Sequence, residues 1–93
     1  MSKTLYVVRG SEDGNLGVYG SVSKAYNRAI DYVDPDSTGN AKTVEVDEDY
    51  GSKMKSASYG RVLGDLKSSG CSTIYEDEYS RTYAEIEIFY LNQ

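Results

Sequence analysis

The run TYAEIEIFYL, residues 82–91, alternates two kinds of side chain along its length. Successive side chains of a strand point to opposite faces, so this run has an apolar face and a mixed face. The apolar face holds Ala84, Ile86, Ile88 and Tyr90, and the mixed face holds Tyr83, Glu85, Glu87 and Phe89. This pattern predicts a strand in a sheet that is covered on one side only.

The rest of the chain predicts four further strands and two helices. Strands are predicted at residues 4–9, 16–20, 43–47 and 71–75. These segments are rich in β-branched and aromatic residues or alternate between apolar and polar residues. Apolar residues at helical spacing predict a first helix that begins after Ser21 or Ser23 and ends at Val33. A second helix is expected over residues 54–69, with Gly70 as its C-terminal cap.

The predicted order is ββαβαββ, in which short connections join most of the strands. Such an order is typical of an α+β fold with two layers, an antiparallel or mixed sheet of about five strands and both helices on one face. At 93 residues the chain has the length of a single domain, 1–93, because separate cores need longer chains. Within the alternating run 43–47, the valines are expected to be buried and the carboxylates exposed.

Composition excludes several classes of function. The chain has 15 acidic and 10 basic residues, a net charge of −5, so direct binding to nucleic acid is not expected. It has no histidine and one cysteine, which removes the commonest metal ligand and general base. We therefore expect no enzyme, no metal and no cofactor, and Cys71 is expected to pack in the core. With neither a long apolar run nor a signal-like start, we expect a cytoplasmic protein without membrane contact.

Two loops are alternative ligand-binding sites, one for calcium and one for a nucleotide. Asp34, Asp36, Thr38, Gly39, Asn40 and Glu45 partly match a calcium-loop template, although a polar loop that leads into a strand explains the same residues. The glycine-rich turn at residues 14–20 lacks both the dinucleotide and the P-loop spacing. With Tyr19 or Tyr26 as a stacking platform, this turn remains an alternative nucleotide-binding site.

Acidic residues and tyrosines are interleaved in the second half of the chain. If strands 43–47 and 82–91 are neighbours, Glu45, Asp47, Glu85 and Glu87 share the uncovered face of the sheet and concentrate negative charge there. Tyrosines beside carboxylates are good protein-binding anchors, since a rigid ring contributes contact area at small entropic cost. The predicted partner-binding residues are Glu45, Asp47, Glu48, Asp49, Tyr50, Glu76, Asp77, Glu78, Tyr79, Tyr83, Glu85 and Glu87.

The stretches LYVVRG at residues 5–10, GNLGVYGS at 14–21 and SKAY at 23–26 lie in a short acidic chain without histidine or tryptophan. In this general character the chain resembles small bacteriophage-encoded proteins, among them the anti-CRISPR and anti-restriction inhibitors. The resemblance implies a protein that acts in the host cytoplasm against a defence enzyme by occupying a nucleic-acid groove.

The leading hypothesis is therefore a non-catalytic inhibitor that mimics DNA. Its acidic, tyrosine-containing surface would block the basic nucleic-acid-binding site of a host protein. One alternative is the small-ligand protein that sequesters a nucleotide. Another is an assembly subunit whose uncovered sheet face or edge strand pairs with a second copy as a homodimer.

Overall fold

The residues that the structure describes form six strands and two helices in the order ββαββαββ. The computed structural model describes residues 2–47, 49 and 51–92, with the main chain alone at residues 2, 46, 47 and 92. The elements are β1 (Ser2–Gly10), β2 (Gly14–Tyr19), α1 (Val22–Val33), β3 (Lys42–Asp47), β4 (Gly51–Ser56), α2 (Tyr59–Ser69), β5 (Cys71–Tyr75) and β6 (Tyr83–Asn92). All strands join one antiparallel sheet in the order β2-β1-β6-β5-β3-β4.

The expected α+β class is confirmed, and the sheet has one more strand than predicted. β4 spans residues 51–56. The second helix was predicted to begin at residue 54, so residues 54–56 were assigned to a helix instead of a strand. The sequence of β4, GSKMKS, has no β-branched residue, so local propensity does not indicate a strand. Pairing with β3 imposes the strand, in a register that places Met54 opposite Val44.

β1 and β6 are neighbours in the interior of the sheet, and β1 is paired with β6 along its whole length. On the helix side, Val8, Ala84 and Ile86 are completely buried, which confirms the face assignment of the alternating run. Neither helix covers the other side of the sheet, which we call the bare face. Register and alternation of β2, β1, β6 and β5 place on it Lys3, Leu5, Val7, Arg9, Val18, Cys71, Thr73, Tyr75, Tyr83, Glu85, Glu87, Phe89 and Leu91, and Lys42 of β3 joins them opposite Tyr75.

Helix α1 begins where Ser21 caps it. The Ser21 side chain accepts a hydrogen bond from the backbone N–H of Lys24 at 3.3 Å, which satisfies one of the donors that a helix start leaves unpaired. Ala25, Ala29 and Val33 then follow at helical spacing and are buried against the sheet. The predicted first helix is thus confirmed, with Ser21 as its cap.

Helix α2 begins after Ser58, whose side chain accepts from the backbone N–H of Arg61. It buries Val62 and Leu66, and each such burial stabilises the fold by about 1.5–3 kcal/mol. The helix ends at Gly70, as predicted, where a φ of 80° suits a residue without Cβ. Within the described part of the chain, no helix is long and apolar enough to cross a membrane.

Candidate functional site

Glu85 and Glu87 lie on the bare face, as predicted, and Arg9 contacts both of them. The Arg9 Nη1 atom is 3.3 Å from Glu85 Oε1 and 3.8 Å from Glu87 Oε2. The sheet register sets this arrangement, because Arg9 is directly opposite Glu85 in the β1–β6 pair. One guanidinium therefore offsets half of the negative charge that these two residues bring to the face.

Glu45 lies on the other side of the sheet, so the prediction that it shares a face with Glu85 and Glu87 is wrong. Its Oε2 atom is 3.3 Å from Arg61 Nη2 and 3.8 Å from Lys55 Nζ. The phase of β3 is the opposite of the predicted one: Thr43 is completely buried, and Glu45 follows two positions later on the same side.

Of the remaining predicted residues of this region, the structure describes Asp49 and the main chain of Asp47. Glu48, Tyr50 and the side chain of Asp47 lie outside the described residues. Asp49 is exposed in the β3–β4 connection, at the end of the sheet where β3 finishes. The structure thus does not bring the predicted set together as one surface.

The β5–β6 turn contains the predicted residues that do lie together, and hydrogen bonds order it. The Tyr79 N–H donates to Asp77 Oδ1 at 2.8 Å, and the Ser80 hydroxyl donates to Glu76 Oε2 at 2.8 Å. The Glu76 N–H donates to the Thr82 carbonyl at 3.0 Å and closes the turn at its base. Within this frame Tyr79 is 92 % exposed. The turn therefore exposes an aromatic ring directly after three acidic residues in the chain.

Two more tyrosines form the base of this turn. Tyr75 and Tyr83 are directly opposite each other in the β5–β6 pair, with ring centroids 6.0 Å apart. Beside the turn, a depression of about 320 Å³ is lined by Asn40, Lys42, Asp77, Glu78 and Tyr79. The region thus combines aromatic surface, carboxylates and one lysine.

Other acidic connections lie at the same end of the sheet. In an antiparallel sheet the chain reverses at every turn, and here the β1–β2 turn, the α1–β3 loop and the β5–β6 turn fall at one end. Two hydrogen bonds join the first and third of them: Ser11 N–H to the Tyr83 carbonyl, and Tyr83 N–H to Ser11 Oγ. The Glu12 N–H donates to Tyr32 Oη at 3.1 Å, which ties the β1–β2 turn to the end of α1.

We call this region the acidic end. It is defined by the carboxylates that face solvent or lie at the surface in the three connections, namely Glu12, Asp13, Asp36, Glu76, Asp77 and Glu78. The same segments contribute the cations Lys42 and Arg81. Negative charge is therefore in excess here, and it is concentrated at an end of the sheet instead of on its bare face.

Asp34, the first residue of the calcium-loop pattern, binds its own loop. Its Oδ1 accepts from the Thr38 N–H and hydroxyl, both at 2.8 Å, and its Oδ2 accepts from the Gly39 N–H at 2.9 Å. Hydrogen bonds from Thr38 and Gly39 lower the pKa of Asp34. Among the described residues no group of three or more acidic or cysteine side chains could hold a metal ion.

Tyr19 and Tyr26, the two residues proposed to stack on a nucleotide at the glycine-rich turn, both make hydrogen bonds within the fold. A Cβ on Gly17 would lie 2.8 Å from Tyr19 Oη, because the ring folds back over the hairpin, and this hydroxyl donates to the Leu16 carbonyl. Tyr26 donates to the Ala57 carbonyl at 2.7 Å, and burial raises its pKa. Both rings proposed for stacking on a nucleotide thus have partners within the fold.

Cys71 is exposed, so the prediction that it packs in the core is wrong. It starts β5 on the bare face, opposite Glu87 in the β5–β6 pair. The alternation of β5 explains this, because Ser72 and Ile74 take the buried positions.

Comparison with protein-family models, curated proteins and solved structures gives no match for this chain. Of the residues at the acidic end, Glu12, Asp13 and Asp36 were not predicted as part of the site. The signal that could have found them is the direction of the strands, since it decides which connections meet at one end of an antiparallel sheet.

Proposed function

We propose that this chain is a non-catalytic inhibitor that binds a basic, nucleic-acid-binding surface of another protein through its acidic end. The observation that carries the proposal is Tyr79, which is 92 % exposed in a hydrogen-bonded turn that also contains Glu76, Asp77 and Glu78. Tyrosine is enriched at binding hot spots, and here the ring lies beside carboxylates that would attract a basic partner.

The order of the turn favours binding. A turn whose main chain is already held in place loses little conformational freedom when a partner covers it, and association then costs less free energy. Asp77 and Ser80 fix the main chain on either side of Tyr79, so the ring is presented on a rigid support.

Charge distribution gives the reason for a basic partner. The chain carries a net charge of −5, and the exposed carboxylates of three connections gather at the acidic end. Such a field steers a cationic surface toward the molecule and raises the association rate at low ionic strength. Carboxylates can occupy phosphate positions in a nucleic-acid groove, and Tyr79 and Tyr83 can fill places where bases stack.

The resemblance to phage-encoded inhibitors supports the choice of a host defence or nucleic-acid enzyme as the target. The predicted contacts are revised accordingly. Glu76, Asp77, Glu78, Tyr79 and Tyr83 are kept, Glu12 and Asp13 are added, and Glu45 is removed because it pairs with Arg61.

Capture from bacterial lysate at low and moderate ionic strength tests the proposal, with captured proteins identified by mass spectrometry. We expect a nucleic-acid-binding protein whose recovery falls as salt rises. The variant Glu76→Gln/Asp77→Asn/Glu78→Gln keeps the hydrogen-bond acceptors of the turn but removes its charge, so it should lose most of the capture.

Two control variants separate this site from the rest of the surface. Asp49→Asn removes a carboxylate at the opposite end of the sheet, and Tyr90→Ser removes another exposed ring, 67 % exposed, far along β6. Both should capture like the wild type. Recovery of no nucleic-acid-binding protein, or equal loss in the controls, would contradict the proposal.

A further inference from the structure

β1 and β6 extend together beyond their neighbours in the sheet. In the part of the chain that the structure describes, β2 reaches β1 as far as Tyr6, and β5 reaches β6 as far as Glu87. Residues 2–5 and 89–92 therefore pair with each other alone, as a two-stranded ribbon. Because β6 begins at the acidic end, the ribbon lies at the opposite end of the sheet.

A pocket of about 330 Å³ lies on the helix side of the sheet, where the ribbon begins. Its floor consists of two neighbouring residue pairs, Tyr6 opposite Ile88 and Thr4 opposite Tyr90. The two aromatic rings, the isoleucine side chain and the threonine methyl group make this floor largely apolar.

The last turns of helix α2 form the wall of the pocket. Leu63 is three positions before Leu66 and four before Lys67, so the three side chains share one face of the helix. The Ile88 N–H donates to the carbonyl of Gly70, the cap residue of α2, at 2.9 Å, which holds this end of the helix beside the floor. Small-molecule sites have volumes of about 300–1,000 Å³, so the pocket has room for a small ligand.

Four polar groups of the pocket are free to bind a ligand. The hydroxyls of Thr4, Tyr6 and Tyr90 make no hydrogen bond with any residue that the structure describes, and the Lys67 ammonium makes no ion pair with one. All four groups can donate hydrogen bonds, and the ammonium also attracts negative charge. Although the chain has 15 acidic residues, none of the described residues that line this pocket is acidic. The pocket is therefore suited to an anionic group.

Two other depressions lack this combination. The larger one, of about 550 Å³, is lined by Arg61, whose guanidinium already contacts Glu45 and Asp65. The depression beside the β5–β6 turn is lined by Asp77 and Glu78, which attract cations. Among the described residues, neither depression combines an unpaired cation with apolar walls.

The polar and apolar groups of the pocket are separated along its length. Helix α2 runs toward the ribbon, so Lys67 lies one turn nearer to the ribbon than Leu63. On the floor, Thr4 and Tyr90 are likewise nearer to the ribbon end than Ile88. The outer end of the pocket thus carries the ammonium and two hydroxyls, and the inner end is mainly hydrocarbon.

We propose that this pocket binds a small anionic amphiphile, namely a monocarboxylate with a short hydrocarbon body. The carboxylate pairs with the Lys67 ammonium and accepts hydrogen bonds from the hydroxyls of Thr4 and Tyr90. The hydrocarbon body lies at the inner end and packs against Leu63 and Ile88. Binding covers apolar surface that is otherwise open to water, which favours the complex.

Titration of the protein with octanoate, kept below its micelle-forming concentration and followed by two-dimensional amide NMR, tests the proposal. We expect the largest signal changes at residues 4–6, 63–67 and 88–90, and their concentration dependence gives the dissociation constant. Octanol has the hydrocarbon body without the charge, and acetate has the charge without the body. Each should bind about tenfold or more weakly than octanoate, because the pocket recognises both parts.

Two variants at exposed positions separate the roles of the pocket residues. Lys67→Met keeps an apolar side chain of similar length but removes the charge, and Tyr90→Ser removes one ring of the floor. Each should weaken octanoate binding about fivefold or more. Lys24→Met is the matched control, since Lys24 is an exposed lysine of helix α1 that lines a different depression, and it should bind octanoate like the wild type. Far-UV circular dichroism shows whether each variant is folded.

Three results would overturn the proposal. One is octanoate titration without signal changes at the pocket residues. Another is octanol binding as tightly as octanoate, and the third is a folded Lys67→Met variant that binds octanoate like the wild type. In the last two cases the charged head is not what the pocket recognises.

This inference does not rest on the proposed function, because the pocket and the acidic end lie at opposite ends of β6. Tyr90→Ser should lose octanoate binding and still capture the partner protein. The turn variant Glu76→Gln/Asp77→Asn/Glu78→Gln should lose capture and still bind octanoate. The failure of either proposal is therefore distinguishable from the failure of the other.

Discussion

Ser11 and Tyr83 are 72 positions apart in the chain and are joined by two hydrogen bonds. The Ser11 N–H donates to the Tyr83 carbonyl at 2.9 Å, and the Tyr83 N–H donates to Ser11 Oγ at 3.1 Å. The serine completes the β1–β6 ladder where β1 ends, and it fixes the β1–β2 turn against the start of β6. Through this contact two acidic connections form one surface.

Ser11→Ala removes the acceptor of the Tyr83 N–H and should lower the free energy of unfolding by about 0.5–1.5 kcal/mol. Urea denaturation measures the change. Ser68→Ala is a suitable control, because the Ser68 hydroxyl binds a carbonyl of its own helix and joins no separate elements. Equal stability of wild type and Ser11→Ala would show that the two turns do not depend on this contact.

Asp34 should make the stability of the fold depend on pH in the acid range. Hydrogen bonds from Thr38 and Gly39 lower its pKa in the folded state below its ordinary value of 3.8. Its contribution is therefore complete above that value and is lost as the pH falls through the folded-state pKa.

Asp34→Asn should accordingly flatten the fall in thermal stability between neutral pH and pH values below the ordinary pKa. Melting temperatures measured across that range test this. Asp36→Asn, at an exposed position in the same loop, should leave the slope as in the wild type. If both variants keep the wild-type slope, the Asp34 hydrogen bonds do not contribute to acid sensitivity.

Replacing Gly10 with alanine should destabilise the fold, whereas replacing Gly64 with alanine should stabilise it. A Cβ on Gly10 would lie 2.6 Å from Tyr32 Cζ, so the ring must move, at a cost of about 1–3 kcal/mol. A Cβ on Gly64, inside α2, meets nothing within 4 Å, and alanine there should stabilise the helix by about 0.5–1 kcal/mol. Thermal unfolding of the two variants measures both changes in stability. If Gly10→Ala raised the melting temperature, Tyr32 would not be packed against Gly10 as described.

Much of the central fold could be predicted from the sequence because burial on one face leaves a clear period. In β6, Ala84 and Ile86 are buried and Ile88 is partly buried on the same face, so the alternation admits a single phase. In α1 the apolar stripe and the serine cap indicate the same helix start. In β6 and α1, the local sequence pattern and the packing of the folded chain favour the same structure, so the predictions for these elements are correct.

The phase of β3 could not be predicted in this way. In its sequence, KTVEVD, every second residue can be assigned to the buried face in two ways. The valines suggest that Val44 and Val46 are the buried set, which is the wrong assignment. The pairing of Lys42 with Tyr75 and the Arg61 side chain decide the phase, because they place Thr43 in the core and Glu45 beside a cation. Both partners are distant in sequence.

The acidic end was missed for a related reason. Without β4, the predicted order of elements contains one reversal of the chain too few, and it does not decide which connections share an end of the sheet. Glu12 and Glu76 therefore appeared as separate features of the sequence, although Ser11 and Tyr83 hold their turns together.

Competition between this chain and nucleic acid for the captured partner tests the central claim most directly. In a binding assay with the purified partner and labelled duplex DNA, we expect the wild type to displace the DNA and the Tyr79→Ser variant to displace it weakly. A complex that holds the DNA and the wild-type chain together, or equal displacement by wild type and Tyr79→Ser, would contradict the account.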